Sequence, residues 1–218
     1  NLETLLSDKT LSGVPGIGHT RWATHGEPSL INAHPHLDCA GRIAVAHNGI
    51  IENYEELRRR LQSQGHRFSS ETDTEVIPHL IEHELKNGAS NVEEAIRRSL
   101  NQVHGAYALA ILSLDEPDTI YAARHGSPLI IGVGESEYFI ASDVPAILKQ
   151  ISKVIYLNDG EIAILRPDHL RMVRLDGSVV VPEIKPVTLQ AEAAERAGFD
   201  TYMLKEIHEQ PRVLRSLL

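Results

Sequence analysis

One cysteine, one tryptophan, a small share of aromatics and a deficit of basic residues set the first limits on this 218-residue chain. The single cysteine, Cys39, excludes an internal disulfide and points to a reducing, cytoplasmic setting. No apolar run approaches the length of a membrane-spanning helix. The opening residues, Asn1-Leu2-Glu3-Thr4-Leu5-Leu6, lack the basic flank and long apolar core of a signal peptide. They also lack an initiator methionine, so the visible start is not expected to be the start of the gene. Lys and Arg number 21 against 30 Asp and Glu, a formal net charge of -9. No broad electrostatic grip on nucleic acid or on an anionic membrane is therefore expected. The one dense basic run, Arg58-Arg59-Arg60, follows Glu55 and Glu56 and reads as a solvated helix face with i,i+4 pairs. Internal repeats, low-complexity tracts and long linkers are missing as well.

What is present is an ordinary hydrophobic share, 42%, in a chain long enough to bury a real core. Its periodicity changes along the chain. Residues 1–6 read as the end of a helix, and residues 16–22 and 42–47 as short buried strands separated by a polar loop. Three helices follow. The first is capped by Asn53 with Glu56 three residues on, carries Tyr54, Leu57 and Leu61 at helical spacing, and stops at Gly65. The second starts near Thr72 or Asp73 and ends at Gly88; the third runs over residues 91–102. Strands are then expected at 107–112, 119–123, 129–133, 138–141, 154–157, 161–165 and 170–174. Turn signals such as Asp159-Gly160 and Asp176-Gly177 lie between some of them. Close spacing favours antiparallel pairing, and helices grouped apart from strands give an α+β layered fold. A last helical stretch begins at Thr201 and is interrupted by Pro211.

Chemistry concentrates in residues 18–36, where the only tryptophan, Arg21, two threonines, His19, His25, His34 and His36 share a segment of little hydrophobic periodicity. A polar loop between strands is a natural place for a site. Arg21 offers a planar fork for a carboxylate. Asp73, at a helix start, reads by default as an N-cap and is compatible with receiving an ammonium group. Together they would suit an α-amino acid, with one charge of each sign. Asn48-Gly49 reads by itself as a turn, and alternatively as an amide and a backbone N–H able to form an oxyanion hole. His34, His36, Asp38, Cys39 and His47 supply metal donors, but in no recognisable ligand spacing, so no metal is expected. Cys39 sits in a turn without a nearby cation and reads as a structural or exposed thiol rather than a nucleophile.

Four ordered motifs carry a resemblance. They are His19-Thr20-Arg21-Trp22-Ala23-Thr24-His25-Gly26, Asn32-Ala33-His34-Pro35-His36, His47-Asn48-Gly49-Ile50-Ile51-Glu52-Asn53 and Ser70-Glu71-Thr72-Asp73-Thr74-Glu75. With Gly126-Ser127-Pro128-Leu129, Ala141-Ser142-Asp143 and Lys205-Glu206-Ile207-His208-Glu209-Gln210-Pro211, they resemble the glutaminase (class II glutamine amidotransferase) domain of the glucosamine-6-phosphate synthases. That resemblance implies an N-terminal-nucleophile fold, two stacked antiparallel sheets between helical layers. It implies glutamine hydrolysis to glutamate and ammonia through a thioester on an N-terminal cysteine, the ammonia converting fructose 6-phosphate to glucosamine 6-phosphate. By motif, Arg21 would bind the glutamine carboxylate, with Thr24 and His25 shaping that end, and Asp73 would hold the ammonium. Asn48 and Gly49 would form the oxyanion hole, and Trp22 would gate the ammonia path. No cofactor is implied.

The resemblance also sets expectations that this chain departs from. The family's nucleophile precedes the first motif; Asn1 cannot replace a thiol and Cys39 is misplaced, so the chain as written is expected to bind glutamine poorly and hydrolyse none. Residues 1–200 would form the glutaminase domain, and 201–218 the start of the connection to a sugar isomerase domain that receives the ammonia, in a homodimeric full-length enzyme. The alternative is a non-catalytic glutamine-binding or scaffolding module of the same fold.

Overall fold

The computed structural model describes residues 15–21, 25–187 and 199–217. The expected helix end at residues 1–6 lies outside them, as do Trp22 and Thr24.

Two antiparallel sheets form the centre. The first has seven strands: β1 (His36–Leu37), β2 (Ile43–Ile51), β3 (Gly105–Ser113), β4 (Ile120–His125), β8 (Glu161–Arg166), β9 (His169–Arg174) and β10 (Val179–Val180), in that spatial order. The second orders β11 (Lys185–Pro186), β7 (Lys153–Tyr156), β5 (Ile130–Val133) and β6 (Tyr138–Ala141). Alternation along the strands gives each sheet two apolar faces. Leu109, Ile111, Tyr121, Ile162 and Ile164 pack on the helices α1 (Tyr54–Ser63), α2 (Val76–Lys86) and α3 (Val92–Leu100). The opposite face presents small residues, Ala108, Ala122 and Ala163, which let Leu129, Ile131, Ile155 and Leu157 from the second sheet's side close in. On the far side of that sheet, Val144, Ile147 and Ile151 cover Ile130 and Val154. Each fully buried Leu or Ile in these layers contributes about 1.5–3 kcal/mol of burial.

The helices form where the apolar spacing placed them, but their ends differ in informative ways. Asn91 caps α3, its side chain accepting from Glu94 N at 2.8 Å. Asn53 precedes α1 without a side-chain cap bond. Its amide instead spans to the α3–β3 loop, donating to Gln102 O (2.8 Å) and accepting from His104 N (3.0 Å). The second helix starts at Val76, so Asp73 is not its cap. Pro211 does not interrupt the last helix, α4 (Tyr202–Leu217). Residues 16–21 form no strand, because Arg21 has a positive φ of 52° and its N–H turns back to His19 Nδ1 at 2.8 Å. Among the described residues, no helix is long and apolar enough to cross a membrane.

Candidate active site

Strand β2 extends past residue 47 and runs through Asn48 and Gly49 to Ile51, which overturns the turn reading of Asn48-Gly49. Gly49 has φ 130° and faces Tyr107 across the ladder. A Cβ there would lie 2.0 Å from Ala106 O, so only glycine permits the strands to approach this closely. At this end of β2 a cavity of about 280 Å³ is lined by Asn48, Gly49 and Ile50, by His19, Arg21 and His25, by His34 and His47, and by the turn Thr72-Asp73-Thr74. It sits at the small end of the range for small-molecule sites, a size for one amino acid.

Asp73 is 3% exposed. Its Oδ2 accepts from Ile51 N at 2.8 Å, and its Oδ1 lies 3.8 Å from His25 Nδ1. The turn that carries it is held from below by Glu75, whose carboxylate accepts from Ser69 N (2.8 Å) and Ser70 N (2.7 Å). Arg58 reaches the same turn, bonding Ser70 O, approaching Glu75 Oε2 at 3.4 Å and stacking over Phe68 at 4.7 Å. The solvated-face reading of the Arg58-Arg59-Arg60 run is therefore incomplete, since Arg58 is part of the scaffold of the site.

Across the cavity, the Arg21 guanidinium donates to three backbone carbonyls, those of His25 (2.8 Å), Gly26 (3.0 Å) and Glu27 (3.0 Å). These bonds fix its plane and leave the fork with donors to spare. Asn32, 1% exposed, ties the same loop to the Asp73 turn: it donates to Glu27 O (3.1 Å) and accepts from Glu71 N (2.9 Å).

Asn48 is oriented by a chain of donors. Arg21 N–H donates to His19 Nδ1, which places the imidazole proton on Nε2. That Nε2–H donates to Asn48 Oδ1 at 2.7 Å, leaving the amide's Nδ2 as the end that can donate to something else.

Three other histidines, His34, His36 and His47, are held toward the neutral form. Burial first, then the neighbouring His19, His36, His47 and Arg21, push His34 down from 6.5 to about 3. Burial also lowers His36, and lowers His47 against the opposing pull of Asp73. His34 Nδ1 accepts from His47 N (3.2 Å), and His47 Nδ1 meets Thr74 Oγ1 at 2.9 Å. The unfolded chain takes up protons on these residues first, near 6.5 for His34, so stability present above that pH falls as the pH drops through and below it. Urea unfolding midpoints are expected to fall from pH 7 to pH 5, and to fall less in His34→Gln. An unchanged slope in that variant would remove His34 from the account.

Arg21, His25, Asn48, Gly49 and Asp73 are thus brought to one cavity. Sequence reasoning missed Arg58 and the linking roles of Asn32 and His19, although the last two stand inside quoted motifs. Cys39 lies elsewhere, beside His66 and His79.

Residues 20–149 match the glutamine amidotransferase domain family. The chain belongs to that family. Every described residue assigned to the cavity except His19 falls inside the amidotransferase match, while β7 to β11 and α4 lie beyond it. The chain is 54% identical, over 209 residues, to a glutamine–fructose-6-phosphate aminotransferase [isomerizing] of Thermococcus kodakarensis, a match covering 95% of this chain and 35% of the relative. A protein of the same name from Clostridium tetani is 49% identical over 218 residues, 100% of this chain and 35% of the relative. The chain therefore spans about a third of the length of these curated relatives. Among solved structures, a glutamine phosphoribosylpyrophosphate amidotransferase from B. subtilis superposes with a TM-score of 0.61 at 28% identity, over 72% of this chain and 34% of that one. The fold of this amidotransferase domain is accordingly the α+β N-terminal-nucleophile fold expected from the motifs.

Proposed function

We propose that this chain is the glutamine-binding and glutamine-hydrolysing part of an enzyme that makes glucosamine 6-phosphate from fructose 6-phosphate. The observation that carries the reading is the placement of Arg21 and Asp73, one charge of each sign, in the same cavity as Asn48 and Gly49. Glutamine has a carboxylate for Arg21, an ammonium for Asp73, and a side-chain amide that reaches the Asn48-Gly49 end. Thr24 and His25 shape the carboxylate end, and Trp22 gates the exit of ammonia.

The reaction needs a thiol that this cavity does not contain among the described residues. The nucleophile is a cysteine outside these 218 residues, whose thiolate attacks the amide carbon and forms the C–S bond. The negative charge that develops on the carbonyl oxygen is received by Asn48 Nδ2 and the Gly49 N–H. The C–N bond then breaks with a proton delivered to nitrogen, releasing ammonia and a thioester. Water cleaves the thioester to glutamate and restores the thiol. Residues 1–200 form the glutaminase domain and 201–218 lead toward a sugar isomerase domain that takes the ammonia. The whole enzyme is a cytoplasmic homodimer.

These 218 residues alone are expected to release no glutamate. The same chain joined to a preceding segment that begins with cysteine is expected to turn over glutamine, and to stop when serine replaces that cysteine. Glutamine binding without glutamate release by the folded, cysteine-bearing chain would favour a non-catalytic binding module instead.

A further inference from the structure

Away from the glutamine cavity, four side chains from three segments converge at one point: Cys39 in the β1–β2 turn, His66 after α1, and His79 with Glu82 one turn apart on α2. Their donor atoms all lie within 4.8 Å of one another. The thiol sulfur is 3.8 Å from His66 Nδ1 and 3.5 Å from His79 Nδ1. Glu82 Oε2 is 2.9 Å from His66 Nδ1 and 3.6 Å from His79 Nδ1. Tetrahedral zinc, with its usual bond lengths, sets sulfur–nitrogen edges of about 3.6 Å and nitrogen–oxygen edges of about 3.3 Å. The observed distances straddle both values.

His79 is 1% exposed, and its Nε2 has no hydrogen-bond partner. That nitrogen lies 3.7 Å from Glu75 Oε1. An ion on His79 Nδ1 would place the ring proton on Nε2, facing Glu75, which is the carboxylate–histidine–metal arrangement that orients metal-bound imidazoles. The sulfur already accepts from Arg67 N at 3.3 Å, and Glu82 Oε1 is held by Lys86 Nζ at 2.6 Å. Cys39 is exposed, which leaves an entry path for an ion, while the other three ligands are buried.

We infer that Cys39, His66, His79 and Glu82 form a structural site for a zinc-like divalent cation. Two anionic ligands, thiolate and carboxylate, balance the charge of the ion, and the thiol gives up its proton on binding. Four protein ligands close the coordination sphere, so the site is a staple rather than a reaction centre. It fastens the β1–β2 turn and the α1–α2 loop to α2, and through Glu75 it braces the turn that carries Asp73. The sequence reading grouped Cys39 with His34, His36 and His47 and expected no metal. The structure puts His34 and His47 at the glutamine cavity and gives Cys39 His66, His79 and Glu82 as neighbours.

The test is elemental analysis of the chain after stripping with chelator, loading with zinc and desalting, alongside the cobalt-loaded absorption spectrum. About one zinc per chain is expected, falling at least tenfold in Cys39→Ser and in Glu82→Gln. The cobalt form should show tetrahedral bands with a thiolate charge-transfer band that disappears in Cys39→Ser. Cys39 is exposed, so its serine variant should keep the fold, and circular dichroism checks that it does. Equal zinc retention by the unmutated chain and folded Cys39→Ser, or octahedral cobalt bands without charge transfer, would overturn the site.

Discussion

Asp73→Asn is expected to weaken glutamine binding at least about thirtyfold while leaving the chain folded. The figure follows from the roughly 2–5 kcal/mol lost when one partner of a buried, hydrogen-bonded charge pair is neutralised or removed. The choice of asparagine matters because Asp73 serves two masters. Its Oδ2 accepts the Ile51 N–H at 2.8 Å inside β2, and the proposed function assigns its charge to the ammonium group of glutamine. Asparagine keeps an acceptor for Ile51 and removes only the charge. Asp73→Ala removes both, and should add a stability loss of about 1–3 kcal/mol from the unsatisfied Ile51 N–H. Paired measurements of glutamine affinity and urea unfolding separate the two roles. Unchanged affinity in folded Asp73→Asn would mean that the carboxylate is only a brace for β2.

Gly49→Ala is expected to cost more than about 4 kcal/mol, beyond the usual span of single substitutions. The added Cβ would stand 2.0 Å from Ala106 O and 2.9 Å from Ser127 Oγ, and the first of these is backbone of the β2–β3 ladder, one pair from its end. No rotamer relieves that overlap; the strands must separate. The same movement would displace the Gly49 N–H assigned to the oxyanion, so turnover should vanish even in molecules that remain folded. Gly41→Ala is the control. Gly41 has φ 65° but nothing within 4 Å of an added Cβ, so it carries only the left-handed backbone penalty of about 1–2 kcal/mol. Equal unfolding midpoints for the two variants would show that the β2–β3 contact gives way without cost.

These two residues also mark what the sequence discloses and what it hides. The periodicity of Leu57 and Leu61, and of Val76, Ile77, Leu80 and Ile81, locates helices because burial of one face is written directly into spacing. Strands β3 to β9 were legible for the same reason. Pairing was not. Asp159-Gly160 carries hairpin chemistry, yet β7 and β8 on either side of it belong to different sheets. There Asp159 accepts from Gly126 N (2.9 Å) and Gly160 N donates to Arg124 O (2.8 Å), so the turn is used to carry the chain between sheets. Asn48-Gly49 misled in the opposite sense: a turn dipeptide sits inside the nine-residue strand β2 because close strand approach also demands glycine.

The residues that meet in the cavity were legible as motif, but the bonds that connect them were not. Arg21 and Asp73 could be named from charge and residue type, whereas the route from Arg21 N–H through His19 to the Asn48 amide depends on a backbone turn that no spacing rule encodes. The cation cluster was hidden for a related reason. Only His79 and Glu82 are close in sequence, and His66 and Cys39 arrive from segments brought near by packing of α1 and α2 on the first sheet.

The central claim is that this cavity recognises the zwitterion of L-glutamine, and backbone amide spectra recorded during a titration test it most directly. The account predicts saturable shifts at Gly49, Ile51 and Asp73 with L-glutamine, absent with D-glutamine and absent in Asp73→Asn. No saturable shift at these amides, or the same shifts with either enantiomer, would contradict it.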